Sequence, residues 1–213
     1  MYERWGKRAF DLAGAALLLA ALAPLLAAAA LGVLLTLGRP VLFCQQRSGR
    51  GGVPFTLVKL RSLAAGPGPD AARLGRFGRW LRASALDELP QLLNVLRGEM
   101  SLVGPRPLPP DYLPRYTAAQ ATRLRVRPGL CGLAQAAGRN AVPWERRLAL
   151  DAHYAGAVPS FGGDAAILAR CAALVLRGEG VAAPGHATMP EFRGLVDLSR
   201  QNPTIAPNPA QLS

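Results

Sequence analysis

The sequence predicts an α+β protein, mainly helical, seated at a membrane. Three observations carry that reading. Residues 12–38 hold no charged side chain and are long enough to cross a bilayer as a helix. Residues 41–58 hold two short β-like runs around a basic, Gly-rich loop. Beyond them, apolar residues recur at helical spacing in several basic segments. The chain divides accordingly into residues 1–38, a re-entrant membrane helix–break–helix; residues 39–194, a compact cytoplasmic domain with amphipathic interfacial helices; and residues 195–213, a polar tail.

Two details favour re-entry over a signal peptide or a simple spanning anchor. Pro24 sits mid-run, where it kinks or breaks a helix. Both flanks are basic, with Arg4, Lys7 and Arg8 before the run and Arg39, Arg47 and Arg50 after it. The positive-inside rule puts both flanks on one face. The long run, with no clear small-residue cleavage site, weakens the signal-peptide reading.

The 213 residues suffice for one domain with a modest core. Lys and Arg number 25 against 13 Asp and Glu, a formal charge of +12. That balance calls for an anionic partner: nucleic acid, a membrane surface or a phosphorylated substrate. Cys44, Cys131 and Cys171 have neither CxxC nor metal-ligand spacing, and His153 and His186 carry no metal signature. The cysteines read as small hydrophobes in a reducing compartment.

In chain order, residues 41–43 and 55–58 read as a β-hairpin, and the loop 45–52 suits phosphate contact or plain turn chemistry equally. Gly66 to Pro69 is a linker or tight loop. Leu74, Phe77 and Leu81 share one face of a basic helix, which suits a membrane interface or, alternatively, the core. Ser84-x-x-Asp87 reads as an N-cap, with Leu89, Leu92, Leu93 and Leu96 following at helical spacing and Gly98 as the stop. Residues 116–126 predict a short helix, and 128–140 a loop-rich stretch. Residues 144–154 predict a helix exposing Glu145, Arg146 and Arg147. Asp164 reads as the N-cap of a helix over 165–177, interfacial or core.

Asp87 and Glu88 stand at the start of the central helix. They either complement its dipole or belong to a phosphate site. Arg106, clamped between Pro105 and Pro107, and Arg139, after Gly138, would bring several charges to bear on one small anion.

Leu57-Val-Lys59-Leu-Arg61-Ser62, Ser84-Ala-Leu-Asp-Glu-Leu-Pro-Gln91 and Asn94-Val-Leu-Arg-Gly-Glu-Met-Ser-Leu-Val-Gly-Pro-Arg-Pro107 stand in order. Pro128-Gly129, Ala134-Gln135 and Gly138-Arg139-Asn140 add a third block. Together they resemble the bacterial sugar transferase family, the small monotopic phosphoglycosyl transferases. The likeness covers nearly the whole chain. It implies transfer of a phosphosugar from a UDP-sugar to undecaprenyl phosphate, giving a polyprenyl-diphosphate sugar and UMP, at the start of surface glycan synthesis. It implies Mg2+ as cofactor, membrane lipids as partners, no nucleic acid, and the cytoplasmic face of the bacterial inner membrane. Asp87 would be the nucleophile that forms an aspartyl-phosphosugar intermediate. Glu88 would bind Mg2+ or assist the acceptor. Lys59, Arg61, Arg106, Pro107, Gln135 and Arg139 would bind substrate.

The residues themselves agree with those roles. A carboxylate attacks phosphorus as an anion, and cations must offset its repulsion from a diphosphate. Successive helical residues point about 100° apart, so Asp87 and Glu88 should touch different groups, one as nucleophile and one at a metal. The chain departs from the family pattern at Ala23, where Ser precedes the proline, and at Cys131, Leu133 and Ala137, where Thr, Trp and Asn are common. Those changes bear on the sugar or nucleotide pocket. A non-catalytic basic membrane protein binding anionic lipid or nucleic acid is the alternative, and it leaves the acidic pair among arginine loops without a purpose. A homo-oligomer and the identity of the sugar stay open.

Overall fold

The computed structural model describes residues 2–182 and 189–194. After a turn of π-helix at Tyr2–Gly6, helix α1 runs from Lys7 to Leu37. It is built of leucine and alanine, the strongest helix formers. The helix–break–helix expected at Pro24 is one uninterrupted helix with Pro24 inside it. A proline removes one backbone donor, whereas opening a whole turn among apolar side chains would strand several polar groups.

One stripe of α1 faces the body of the protein. Asp11, Ala15, Ala29 and Val33 are buried, and Leu19 and Leu26 pack beside them. The other faces are equally apolar but open, with Leu17 71% and Leu35 76% exposed. This is the one helix among the described residues long and apolar enough to cross a membrane. Both of its ends are fastened to the same body. At the start, Arg8 donates to the carbonyls of Val95 and Leu96 at 2.8 and 3.1 Å. Asp11 accepts from the Ser101 hydroxyl and the Leu102 amide, each at 3.0 Å. At the finish, Arg61 donates to the carbonyls of Leu37 and Gly38, orphaned by the helix end.

Strands β1 (Leu42–Ser48) and β2 (Pro54–Leu60) pair antiparallel, Leu42 opposite Leu60 and Ser48 opposite Pro54. The expected hairpin is present with longer strands and a shorter loop. Gln45, Gln46 and Arg47 lie in β1, where alternation puts Gln46 on one face beside Thr56 and Gln45 and Arg47 on the other. Phe55 and Leu57 of β2 enter the main core with Leu92, Val95, Met100 and Leu102.

Helices α2 (Asp70–Arg73) and α3 (Arg76–Ala83) follow. The stripe of Leu74, Phe77 and Leu81 turns to the protein, not to the membrane. Leu81 packs with Leu60 and Val33, and Phe77 lies so close to Gly32 of α1 that a Cβ there would stand 2.6 Å from its ring. Trp80 remains 51% exposed on the outer side.

Helix α4 (Gln91–Arg97) ends at Gly98, whose φ of 87° makes the stop expected of it. Its N-cap is Pro90. Ser84 instead ends α3, its hydroxyl donating to the Leu81 carbonyl at 3.1 Å. Asn94 of α4 is fully buried and extends the edge of β2 with its side-chain amide, accepting from the Val58 amide and donating to the Thr56 carbonyl.

Strand β3 (Ser101–Val103) pairs in parallel with β4 (Gly129–Cys131), which forms inside the stretch read as loop. A Cβ on Gly129 would sit 2.1 Å from the Gly104 nitrogen, so this approach requires glycine. Between the strands, α5 (Ala118–Ala121) carries a Thr117–Gln120 capping box.

Helices α6 (Leu133–Ala136), α7 (Trp144–Gly156) and α8 (Phe161–Leu176) complete the described chain. Arg147, expected on the surface, is 3% exposed, because α7 turns it and Leu148 inward together. The N-cap of α8 is Ser160, not Asp164. Asp164 is buried in the first turn, accepting from the hydroxyls of Tyr2 and Tyr154 at 2.7 and 2.9 Å. His186 and the tail 195–213 lie outside the described residues.

Candidate active site

The chain reverses sharply between α3 and α4. Ala85 takes a left-handed backbone, φ 55°, a conformation that costs a non-glycine residue about 1 kcal/mol or more. A single 3-10 turn, Leu86–Glu88, follows. The acidic pair therefore sits in a strained turn before the helix rather than in its first turn.

Asp87 lines an open cavity of about 490 Å3 together with Lys59, Arg82, Glu88, Arg106 and Arg139. Though only 4% exposed, its carboxylate makes no hydrogen bond among the described residues. Burial, then the neighbouring Glu88 charge, pushes its pKa up to about 6, while Lys59, Arg82 and Arg106 pull the other way. Glu88 is treated differently. Arg106 donates to both of its oxygens, Nη1 to Oε2 at 3.0 Å and Nη2 to Oε1. Burial works to raise Glu88, but the charge and hydrogen bonds of Arg106 outweigh it and hold the pKa near about 2.

Each cation has its own support. Lys59 projects from β2 with its ammonium 5.3 Å from the Phe43 ring centroid. Burial lowers its pKa, against the pull of Asp87 and Glu88. Arg106 is held through its carbonyl, which accepts from Arg123 Nη2 at 2.6 Å. Arg123 in turn forms a buried ion pair with Asp151 at 2.7 Å. Arg139 has a positive φ of 52°, and its guanidinium donates to the carbonyls of Arg82 and Glu179 at 3.1 and 3.2 Å.

Of the residues the sequence nominates, Lys59, Asp87, Glu88, Arg106 and Arg139 meet at this cavity. Pro107 is buried beside it, its carbonyl accepting from Arg47 at 3.4 Å. Arg61 and Gln135 do not reach it. Arg61 caps α1, and the Gln135 amide donates to the Leu130 carbonyl at 3.3 Å. Arg47, from the stretch 45–52 offered for phosphate contact, lines the same cavity, as do Arg82, Tyr112, Trp144 and Arg147, which were not singled out. For the last two a signal existed. Trp144, Arg147 and Asp151 repeat at helical spacing on one side of α7.

Among the described residues no three His, Cys, Asp or Glu side chains converge as a metal cage. Mg2+ needs none, because it is commonly held by one or two carboxylates and substrate phosphates. Each Glu88 oxygen keeps a further lone pair beyond the one Arg106 takes, so the donor set fits.

Comparison with known proteins places this geometry in context. A family model for bacterial sugar transferases matches residues 2–178. An uncharacterized sugar transferase, EpsL, of Bacillus subtilis (strain 168) is 45% identical over 199 residues, 91% of this chain and 98% of that protein. The UDP-glucose:undecaprenyl-phosphate glucose-1-phosphate transferase of Caulobacter vibrioides is 51% identical over 143 residues, covering 62% of this chain and 54% of that protein. The undecaprenyl-phosphate galactose phosphotransferase of Salmonella typhimurium is 36% identical over 201 residues, 84% of this chain and 42% of that protein. The chain thus spans about half the length of these two relatives. Since the family match runs from the turn before α1 to the end of α8, through the Asp87 cavity, the chain belongs to the bacterial sugar transferase family.

Proposed function

We propose that this protein transfers a phosphosugar from a UDP-sugar to undecaprenyl phosphate and so begins the synthesis of a surface glycan. One observation carries the reading: Asp87 is a carboxylate without a hydrogen-bond partner among the described residues, opening on a cavity ringed by cations. The names of the Caulobacter and Salmonella relatives support the substrate class.

In the first step an Asp87 oxygen forms a bond to the sugar-bearing phosphorus. The bond from that phosphorus to the bridging oxygen breaks, and UMP departs with its electron pair. In the second step an oxygen of the lipid phosphate attacks the same phosphorus, and the Asp87 carboxylate is released. Lys59, Arg82 and Arg106 lower the repulsion between an anionic nucleophile and an anionic donor. Glu88 is kept ionised by Arg106 and would hold Mg2+ together with donor phosphate. That ion, when bound, supplies further positive charge to the phosphoryl oxygens.

A lipid phosphate lies at headgroup depth, so the cavity must open near that plane. Helix α1 has both ends tied to the body and its outer faces apolar. This supports a monotopic seat in the inner membrane, with the domain on the cytoplasmic face.

Incubation with a UDP-sugar labelled in the sugar, without acceptor, is expected to leave label on Asp87 and to release UMP. The Asp87→Asn variant should retain no label and give no turnover with undecaprenyl phosphate. Full turnover by that variant sinks the assigned role.

A further inference from the structure

An ionised side chain buried without an opposite charge is costly, and a ligand of opposite sign removes the cost. Arg147 comes close to that case, because the opposite charge that acts on it, Asp151 one turn on, is already paired with Arg123. Arg147 is 3% exposed, joins no ion pair among the described residues, and its Nε has no hydrogen-bond partner there. Only Nη2 is engaged, donating to the Arg139 carbonyl at 2.7 Å and lying 3.8 Å from the Met189 Sδ. Arg47 repeats the pattern from β1. Its Nε is likewise without a partner, and its terminal nitrogens meet only neutral acceptors, the Pro107 carbonyl at 3.4 Å and Gln45 Oε1 at 2.6 Å.

Both arginines line the cavity that holds Asp87. Both also stand close enough to Arg106 to feel its like charge, and Arg106 is already committed to Glu88. With seven Lys and Arg side chains against Asp70, Asp87 and Glu88, the cavity holds more positive charge than one phosphate and its three carboxylates would balance. The ring of Trp144 lies 5.2 Å from the Arg147 guanidinium, which fixes the plane of that fork.

We infer that Arg147 and Arg47 form the subsite for the phosphate of the departing nucleotide, the α-phosphate of the nucleoside diphosphate-sugar. The inference rests on the transferase reading above and adds the residues that hold the leaving group. As the phosphorus–oxygen bond breaks, the electron pair stays on the bridging oxygen and adds one negative charge to the nucleoside monophosphate. Fixed guanidinium groups stabilise that charge as it develops.

The test is UMP binding by calorimetry to the full chain in detergent, for the wild type, Arg147→Met and Arg147→Lys. Loss of a charged hydrogen bond should weaken UMP in the Met variant by about tenfold or more, with Lys restoring part of the loss. Without ligand, Arg147→Met should melt no lower than wild type, because an unpaired buried charge has gone. UMP should raise the melting temperature of the wild type and fail to raise that of Arg147→Met. In turnover, KM for the UDP-sugar should rise while KM for undecaprenyl phosphate holds.

Unchanged UMP affinity overturns the inference, whether or not the variant is less stable. So does a loss confined to the KM for undecaprenyl phosphate, which would give the subsite to the acceptor. Should Arg147→Met fail to fold, Arg147→Lys and Arg47→Met carry the same measurement. UMP binding is read without turnover, so the two readings fail separately. Arg147-dependent UMP binding in a chain that transfers nothing from any UDP-sugar sinks the transferase reading alone. Normal transfer with UMP binding indifferent to Arg147 sinks only the subsite.

Discussion

Arg106 grips both oxygens of Glu88 and leaves Asp87, the preceding residue, without a hydrogen bond among the described residues. Two adjacent carboxylates are thereby pushed in opposite directions, Asp87 up to about 6 and Glu88 down to about 2. The clamped one is a fixed charge, and the free one is available for chemistry.

The first prediction concerns stability. Asp87 has a folded pKa above its unfolded one, so the native state holds its proton longer. Its contribution falls as pH rises from about 4 to about 6, and the full penalty is present at neutral pH. Asp87→Asn should therefore raise stability at pH 7 by roughly 1–3 kcal/mol. Glu88 has the opposite sign. Its contribution is complete above about 4.5 and is lost as pH falls towards about 2. Glu88→Gln should cost roughly 1–3 kcal/mol at pH 7. Thermal melts of both variants in detergent across pH 3–8 check the pair of signs.

A second prediction is kinetic. The nucleophile works as an anion, so kcat/KM should fall about tenfold per pH unit below the Asp87 pKa of about 6. Lys59 pulls that pKa down. Lys59→Met should shift the acid limb to higher pH as well as lower the rate. A pH profile of UMP release reads both effects, and an unmoved limb would show that Asp87 is not the titrating group.

The third prediction concerns how Arg106 is held. Arg123 and Asp151 are 3% and 1% exposed, and Arg123 donates to the Arg106 carbonyl. Breaking a buried pair by removing one partner costs about 3–5 kcal/mol. Asp151→Asn should approach that cost in a denaturant melt. Arg123→Met with Asp151→Leu together should recover most of it, since neither member of the pair is left as a lone charge. The double variant should fold and still transfer poorly, because the support beneath Arg106 is gone.

How much of this was legible depended on the range of the interaction. The hairpin and the Gly98 stop follow from local pattern, and sequence reading found both; it also found the apolar helix, but with a break at Pro24 that the continuous α1 does not have. The parallel contact of β3 with β4 joins short segments remote in sequence, and no local periodicity announces it. Arg147 looked exposed because a charged residue on a basic helix usually is, and only tertiary packing turns it inward. Arg61 stood inside a recognised motif, which marked it as important without revealing that it caps α1. The carboxylate pair was visible because acids are scarce in so basic a chain. That Arg106 would choose Glu88 over Asp87 depends on side-chain directions set by the left-handed Ala85, which sequence alone does not disclose.

The last prediction tests the seat of α1. Asp11 is 1% exposed and joins Lys7, the Ser101 hydroxyl and the Leu102 amide, so it fastens the N-terminal end of α1 to β3. Asp11→Ala leaves the buried Leu102 amide without an acceptor, while Lys7 keeps Asp164 and the Ser101 hydroxyl keeps the Val103 carbonyl, and should destabilise the domain by about 1–3 kcal/mol. The outer faces of α1 are untouched by the change, so the protein should still partition into membranes. Cleavage by a soluble protease near α4 and β3 should increase, because the N-terminal end of α1 no longer covers them. A variant that left the membrane on losing Asp11 would mean that the apolar faces of α1 do not hold it there. A variant with unchanged melting would mean that the polar cluster at residues 7, 11 and 101 does not anchor the helix.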